Sequence, residues 1–205
     1  MWFKRAIVFD LETHTSWLNE SIRDNSFANP ENYIVSVHWK VIENVASPEA
    51  CLDAPVKTAV LKHDDKATPD SLDEFLADLA SADIAVAHNL KFDANWLLAS
   101  RVALPDLNWC TMVAEYIFAR GTMLEKSLKA TAERRDVTRK KSDLIDAEFK
   151  VGKKEFSQIA LPTVIEYAEA DVQSCAEIFI QQVQELQSEE NSGLIPTFKM
   201  MNEML

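Results

Sequence analysis

Ile7-Val8-Phe9-Asp10-Leu11-Glu12-Thr13 is the stretch from which the rest of the chain is read. Three consecutive apolar residues suit a strand buried on both faces, and two carboxylates then follow two positions apart. Strand side chains alternate, so Asp10 and Glu12 project from the same side of a sheet. Two acids at the end of a buried strand repel each other unless a cation lies between them. Hard divalent ions such as Mg²⁺ take oxygen ligands of this kind. A strand running into a solvated acidic turn would carry the same seven residues. The stretch alone leaves both readings open.

Composition narrows the field. At 205 residues the chain suits one α/β domain, residues 1–205, with 47% hydrophobic and 26% charged residues. No apolar run is long enough to span a bilayer, and the N-terminus leads into the strand without a signal-peptide pattern. Cys51, Cys110 and Cys175 are scattered with no C-x-x-C pair, which fits reduced thiols in a cytoplasmic setting. With only three glycines there is no dinucleotide fingerprint and no P-loop. G-x-S-x-G and H-E-x-x-H are also missing, which disfavours a serine hydrolase and a zinc protease. Phosphate chemistry here would have to rest on metal ions. The net charge of −12 argues against a broad basic face for duplex DNA. Residues 125–154 run the other way: ten Lys/Arg stand against six Asp/Glu.

Along the chain, 15–32 is polar and 33–42 is a β-branched, aromatic strand. A weaker strand is expected over 45–52, with 56–61 irregular or a short edge. Ser71 to Glu74 has capping-box spacing and predicts a helix to about residue 80. Residues 84–87 read as a short buried strand, His88-Asn89 as a turn, 91–101 as a helix and 107–110 as another strand. Helices are expected over 111–120, 124–135 and, with Pro162 at its start, from there to about 187. Residues 135–151 read as a loop or loosely held helix, 155–159 as one turn, and 194–205 as a last short helix. A meander followed by interleaved helices makes a mixed α/β sheet flanked by helices.

Three further residues stand where a metal site would want them. Asp93 lies in the first turn of a helix after a buried strand, at the sheet edge where α/β ligands bind. An aspartate there also simply offsets the helix dipole. Tyr167 and Asp171 are four apart and share a helix face. Asp171 borders an apolar stripe, unusual for an acid unless it is paired or liganded; a solvated acid beside an edge aromatic is the plain reading of the same pair.

Asp10-x-Glu12, Asn89-x-x-Phe92-Asp93 and Tyr167-x-x-x-Asp171 occur in this order. Together they resemble the motifs of the DEDD superfamily of 3′–5′ exonucleases, in the branch with tyrosine in its third motif. Val8 to Thr13 looks like the first motif and Ala87 to Asp93 like the second. Phe156-Ser157-Gln158-Ile159-Ala160 leading to Tyr167-Ala168-Glu169-Ala170-Asp171 looks like the third motif of proofreading domains of family A DNA polymerases. The resemblance covers roughly residues 5 to 190. One departure is Cys110, where many relatives carry an acid before the threonine matching Thr111, which puts a local hydrogen bond in doubt.

The resemblance implies a ribonuclease H-like fold and two divalent cations, Mg²⁺ or Mn²⁺. Asp10, Glu12, Asp93 and Asp171 would hold the metals, and Tyr167 with Glu12 would orient the attacking water. The substrate would be the 3′ end of single-stranded or frayed DNA, released as nucleoside 5′-monophosphates, with RNA possible. Leu11, Thr13, Asn89, His14 and Trp17 would surround the terminal nucleotide, and Arg139, Lys140 and Lys141 could guide the backbone. No polymerase sequence follows, so a separate polymerase partner is expected, as in a phage-encoded proofreading system. A ribonuclease D-like RNA exonuclease is the nearest rival. A silent accessory module would have lost an acid, and none is lost.

Overall fold

The computed structural model describes residues 3–16, 18, 24, 26–46, 52–138, 141–150 and 155–203. Its centre is strand β1 (Ala6–His14), which carries the quoted stretch. Four strands complete the sheet: β2 (Tyr33–Ile42), β3 (Lys57–Val60), β4 (Ile84–Ala87) and β5 (Leu107–Cys110). The spatial order is β3-β2-β1-β4-β5. β1 pairs antiparallel with β2, and β2 with β3, whereas β4 joins β1 and β5 in parallel.

Because β1 is central it is covered on both faces, which is why its first residues are all apolar. Ile7, Phe9 and Leu11 join Phe75 and Leu79 of α1 (Asp73–Ser81), and Leu90, Trp96 and Leu97 of α2 (Leu90–Ala99). Ala6 and Val8 face the other way, onto Val172, Phe179 and Val183 of α6 (Leu161–Leu186). Burying a side chain such as Phe9 or Phe179 stabilises the fold by about 2–3 kcal/mol each. Between α2 and α6 the chain adds α3 (Thr111–Phe118), α4 (Leu128–Arg135) and α5 (Ser142–Lys150). A 3₁₀ turn over Phe156–Gln158 precedes α6, and α7 (Ile195–Glu203) closes the described chain.

Several expectations need correction. Val45 and Ala46 lie in a turn, residues 47–51 fall outside the described residues, and the outer strand is β3, one residue inside the stretch expected to be irregular or an edge. The Ser71 hydroxyl accepts the Asp73 N–H at 3.0 Å in place of a capping box, so α1 starts two residues after Ser71. α4 begins at Leu128, not 124, because Ser127 caps it by accepting the Ala130 N–H. Of the two readings offered for 135–151, the loosely held helix is the one found: 142–150 form α5, held against α6 through Ile145 on one side only.

Candidate active site

Beyond Val8, β1 keeps its alternation while α6 still lies across that face, so Asp10 and Glu12 point toward α6. Glu12 is buried and Asp10 half-buried. The pairing register shifts between Glu12 and Thr13, a bulge of the kind that re-aims side chains at sheet edges. Asn89, at φ 63°, takes the left-handed turn that swings the chain from β4 into α2. That turn sets Asp93 inside the first turn of α2, buried, with its Oδ1 accepting the Leu11 N–H at 3.2 Å. Asp93 is thus tied to the backbone between the two β1 acids. From the opposite face, α6 supplies Asp171, buried, and Tyr167 one turn earlier, whose hydroxyl donates to Asp171.

These groups line one cavity of about 230 Å³, together with Leu11, Thr13, Asn89, His88, Phe92 and Phe156. Burial, reinforced by the charge of Asp10, pushes the Asp93 carboxyl well above the usual carboxylate range, against the pull of the Leu11 N–H. Burial, followed by the charges of Asp171, Glu12 and Asp10, pushes the Tyr167 phenol far above its usual value. The phenol therefore keeps its proton and can donate a hydrogen bond. A second polar layer lies behind the acids on β2. His38 stands opposite Asp10 and Ser36 opposite Glu12. The His38 ring bonds the Ser36 hydroxyl at 2.8 Å and the Thr58 hydroxyl at 2.9 Å, and burial pushes its pKa down to about 3. It is a neutral spacer, not a second cation.

The donor set is all oxygen, the chemistry of a hard divalent ion, and the repulsion that lifts Asp93 is what a bound cation would relieve. Among the described residues, no three carboxylate, imidazole or thiolate groups stand at the mutual spacing of a closed metal shell. An open arrangement still fits Mg²⁺, which is bound through one or two carboxylates and completes its shell with water and phosphate oxygens.

The five residues expected to be catalytic come together, and so do Leu11, Thr13 and Asn89. His14 does not line the cavity. Its ring stacks on Tyr33 at 4.6 Å, and its Nδ1 lies 3.7 Å from Glu155, because the strand carries it past the cavity rim. Trp17 lies outside the described residues, as do Arg139 and Lys140. Lys141 pairs with Glu166 at 2.8 Å. Arg134 and Arg135 are held by Glu115, and Arg135 also by Glu185, so this part of the basic window ties α4 to α3 and α6. Sequence reasoning missed His88, Phe92 and Phe156 as lining residues. All three sit inside the motif windows, where an aromatic beside an acid was the available signal. His88 bonds the Thr111 hydroxyl at 2.8 Å, a side chain and not the backbone. Buried Cys110 leaves that bond in place.

The architecture is that of the ribonuclease H-like α/β fold: a mixed sheet with the acids at the ends of its central strands. Solved nuclease structures share it. One described as the apo form of the nuclease superposes with a TM-score of 0.59 at 17% identity, covering 97% of this chain and 84% of that one. Brucella melitensis NrnC with bound Mg²⁺ gives 0.52 at 19% identity, covering 97% of this chain and 85% of that one. The same protein bound to pGG gives 0.54 at 17% identity, with the same coverage. No protein-family model and no curated protein sequence matches the chain.

Proposed function

We propose that this chain is a divalent-metal-dependent 3′–5′ exonuclease that releases nucleoside 5′-monophosphates from single-stranded or frayed DNA ends. The observation that carries the reading is the convergence of four carboxylates and a phenol, from β1, α2 and α6, on one cavity at the sheet edge. A solvated acidic turn would not bury Glu12, Asp93 and Asp171 together. Asp10, Glu12, Asp93 and Asp171 would hold two cations. When bound, such ions would supply water activation and charge neutralisation at the scissile phosphate. Tyr167, fixed as a neutral donor by the acids around it, would orient the attacking water together with Glu12. Thr13 and Asn89 offer polar groups to the terminal nucleotide, and Phe92 and Phe156 offer apolar faces. The resemblance of the lead-in over 156–160 to proofreading domains supports DNA as the substrate.

A second reading has an observation of its own. A neighbour that matches 97% of this chain is bound to pGG, which favours very short oligonucleotides, RNA included, as substrates. Hydrolysis of 5′-labelled DNA, RNA and dinucleotides in Mg²⁺, Mn²⁺ and EDTA separates the two. Faster shortening of long DNA supports proofreading, and preference for two-residue RNA supports the second reading. No metal-dependent cleavage of any of them overturns both.

A further inference from the structure

α6 belongs to two different environments. From Ala168 onward its buried face packs into the main core beneath the sheet. Its first turns rest instead on a small cluster of Ile145, Ile159 and Val164, flanked by Phe156 and Tyr167. Phe156 and Tyr167, ring centroids 5.9 Å apart, are also one wall of the acid cavity. That wall rests on this small cluster and, through the 3₁₀ turn, on β1.

The turn after β3 reaches across to it. Asp64 donates its N–H to Ser157 O at 3.3 Å, the His63 ring donates from Nε2 to Ile159 O at 2.9 Å, and Asp65 Oδ2 accepts the Leu161 N–H at 3.0 Å. The bonds land on every second residue of the lead-in and end on the first residue of α6, where helix N–H groups lack internal partners and a carboxylate is favoured. The turn is itself closed by Lys66 N–H to His63 O at 3.0 Å. The His63 side chain is fully buried, and its Nδ1 accepts the Asp65 N–H at 3.0 Å. A carbonyl can only accept and an N–H can only donate, so a single neutral tautomer satisfies both contacts. In that tautomer the 4.0 Å approach of Nδ1 to the Asp65 carboxylate is not an ion pair. Neither His63 nor Asp65 lines the acid cavity.

We propose that His63 is a positioning residue: the 63–65 turn clasps the lead-in to α6 and so sets the Tyr167 phenol over the acids. The inference rests on the exonuclease reading above for its effect on rate, though the clasp itself can be tested without activity. The full chain is compared with His63→Ala, His63→Gln, Asp65→Ala, Tyr167→Phe and the His63→Ala/Tyr167→Phe double variant. The readouts are kcat and KM on a labelled oligonucleotide, and hydrogen exchange at the Leu161 amide. His63→Ala is expected to lower kcat about tenfold, as small misplacements of a positioning group do, with KM within about twofold. His63→Gln, whose amide nitrogen can reach the Ile159 carbonyl, recovers most of the rate. In the Tyr167→Phe background His63→Ala costs nothing further, because it acts through the phenol. Leu161 exchanges faster in both His63→Ala and Asp65→Ala, and Asp65 is exposed enough that its removal leaves the core intact. Unchanged kcat in both variants, or losses that multiply independently of Tyr167, overturns the proposal. If the parent protein cleaves nothing, the exonuclease reading fails by itself, and unchanged Leu161 exchange then overturns the clasp while faster exchange upholds it.

Discussion

The two halves of the acid cavity are built to different standards. The sheet half, with Asp10, Glu12 and Asp93, rises from a strand buried on both faces, and Asp93 is bonded to that strand's backbone. The helix half, with Tyr167 and Phe156, leans on α5, whose one buried side chain is Ile145, and on a turn 96 residues away in sequence. Asp171 lies in the same helix as Tyr167 but one turn further on, buried in the cavity wall beside Val172 of the main core. The division follows the chemistry. Groups that would hold ions need fixed positions despite mutual repulsion, and deep burial supplies them. A phenol that would orient water, as proposed for Tyr167, sits instead on a more lightly held segment, where low-energy local opening concentrates.

Substitutions in the two halves should therefore fail in different assays. The largest effect belongs to the sheet half: Asp10→Ala should cut hydrolysis by at least about 1000-fold, the scale of losing a principal transition-state contact. Asp10→Asn should raise the melting temperature in EDTA by a few degrees, worth about 1 kcal/mol, because it removes a like charge beside Asp93. The same variant should lose the stabilisation that Mn²⁺ confers on the parent.

Next comes Glu115, which separates body from site. It is buried on α3 and held by Arg134, Arg135 and Gln182. Glu115→Ala should cost about 1–2 kcal/mol in urea melts by leaving the half-buried Arg135 and the buried Gln182 amide without this acceptor, with turnover at permissive temperature little changed. Burial works to raise this carboxyl, but the Arg134 and Gln182 hydrogen bonds and the Arg135 charge outweigh it and hold it below its ordinary 4.5. Its stabilisation is present above that value and disappears as pH falls through the lower, folded value. Glu115→Gln should flatten that acid limb.

Tyr167→Phe tests the helix half. It should slow hydrolysis by about 100-fold, the low end for a group that positions a proton or water, while leaving Mn²⁺ stabilisation intact. Loss of metal stabilisation along with rate would erase the distinction between the halves. Near neutral pH the smallest effect is at His38. Its pKa is pushed down to about 3 from 6.5, so the unfolded chain takes up a proton first as pH falls. Stability should decline from about pH 6.5 downward by at most about 1.4 kcal/mol per unit. His38→Gln should remove that slope, and melts at stepped pH would reveal it.

Much of this was legible in the sequence, unevenly between the halves. The strands 33–42, 84–87 and 107–110 were readable because each is a β-branched or apolar run bounded by turn residues. α6 was readable from its apolar spacing and Pro162 in its first turn. Strand and helix periods put Asp10 with Glu12 and Tyr167 with Asp171, but only the resemblance of the three ordered motifs to the DEDD superfamily singled out the acids and Tyr167. What could not be read depends on contacts between distant segments. His63 had no partner that sequence could name, since its acceptor is a backbone carbonyl of Ile159. The basic window suggested a strand guide, but Arg134 and Arg135 face Glu115, a pairing no local pattern encodes. His14 continues the strand period yet leaves the cavity, because the strand carries it past the rim onto Tyr33 and Glu155, partners no local pattern names.

The central claim is tested most directly by incubating the full chain with matched 5′-labelled single-stranded DNA and RNA in Mg²⁺, Mn²⁺ and EDTA, beside Asp10→Ala. A ladder that shortens from the 3′ end with metal, vanishes in EDTA and is lost in Asp10→Ala is the predicted result. Intact substrate in every lane, or cleavage that persists in Asp10→Ala, would contradict it.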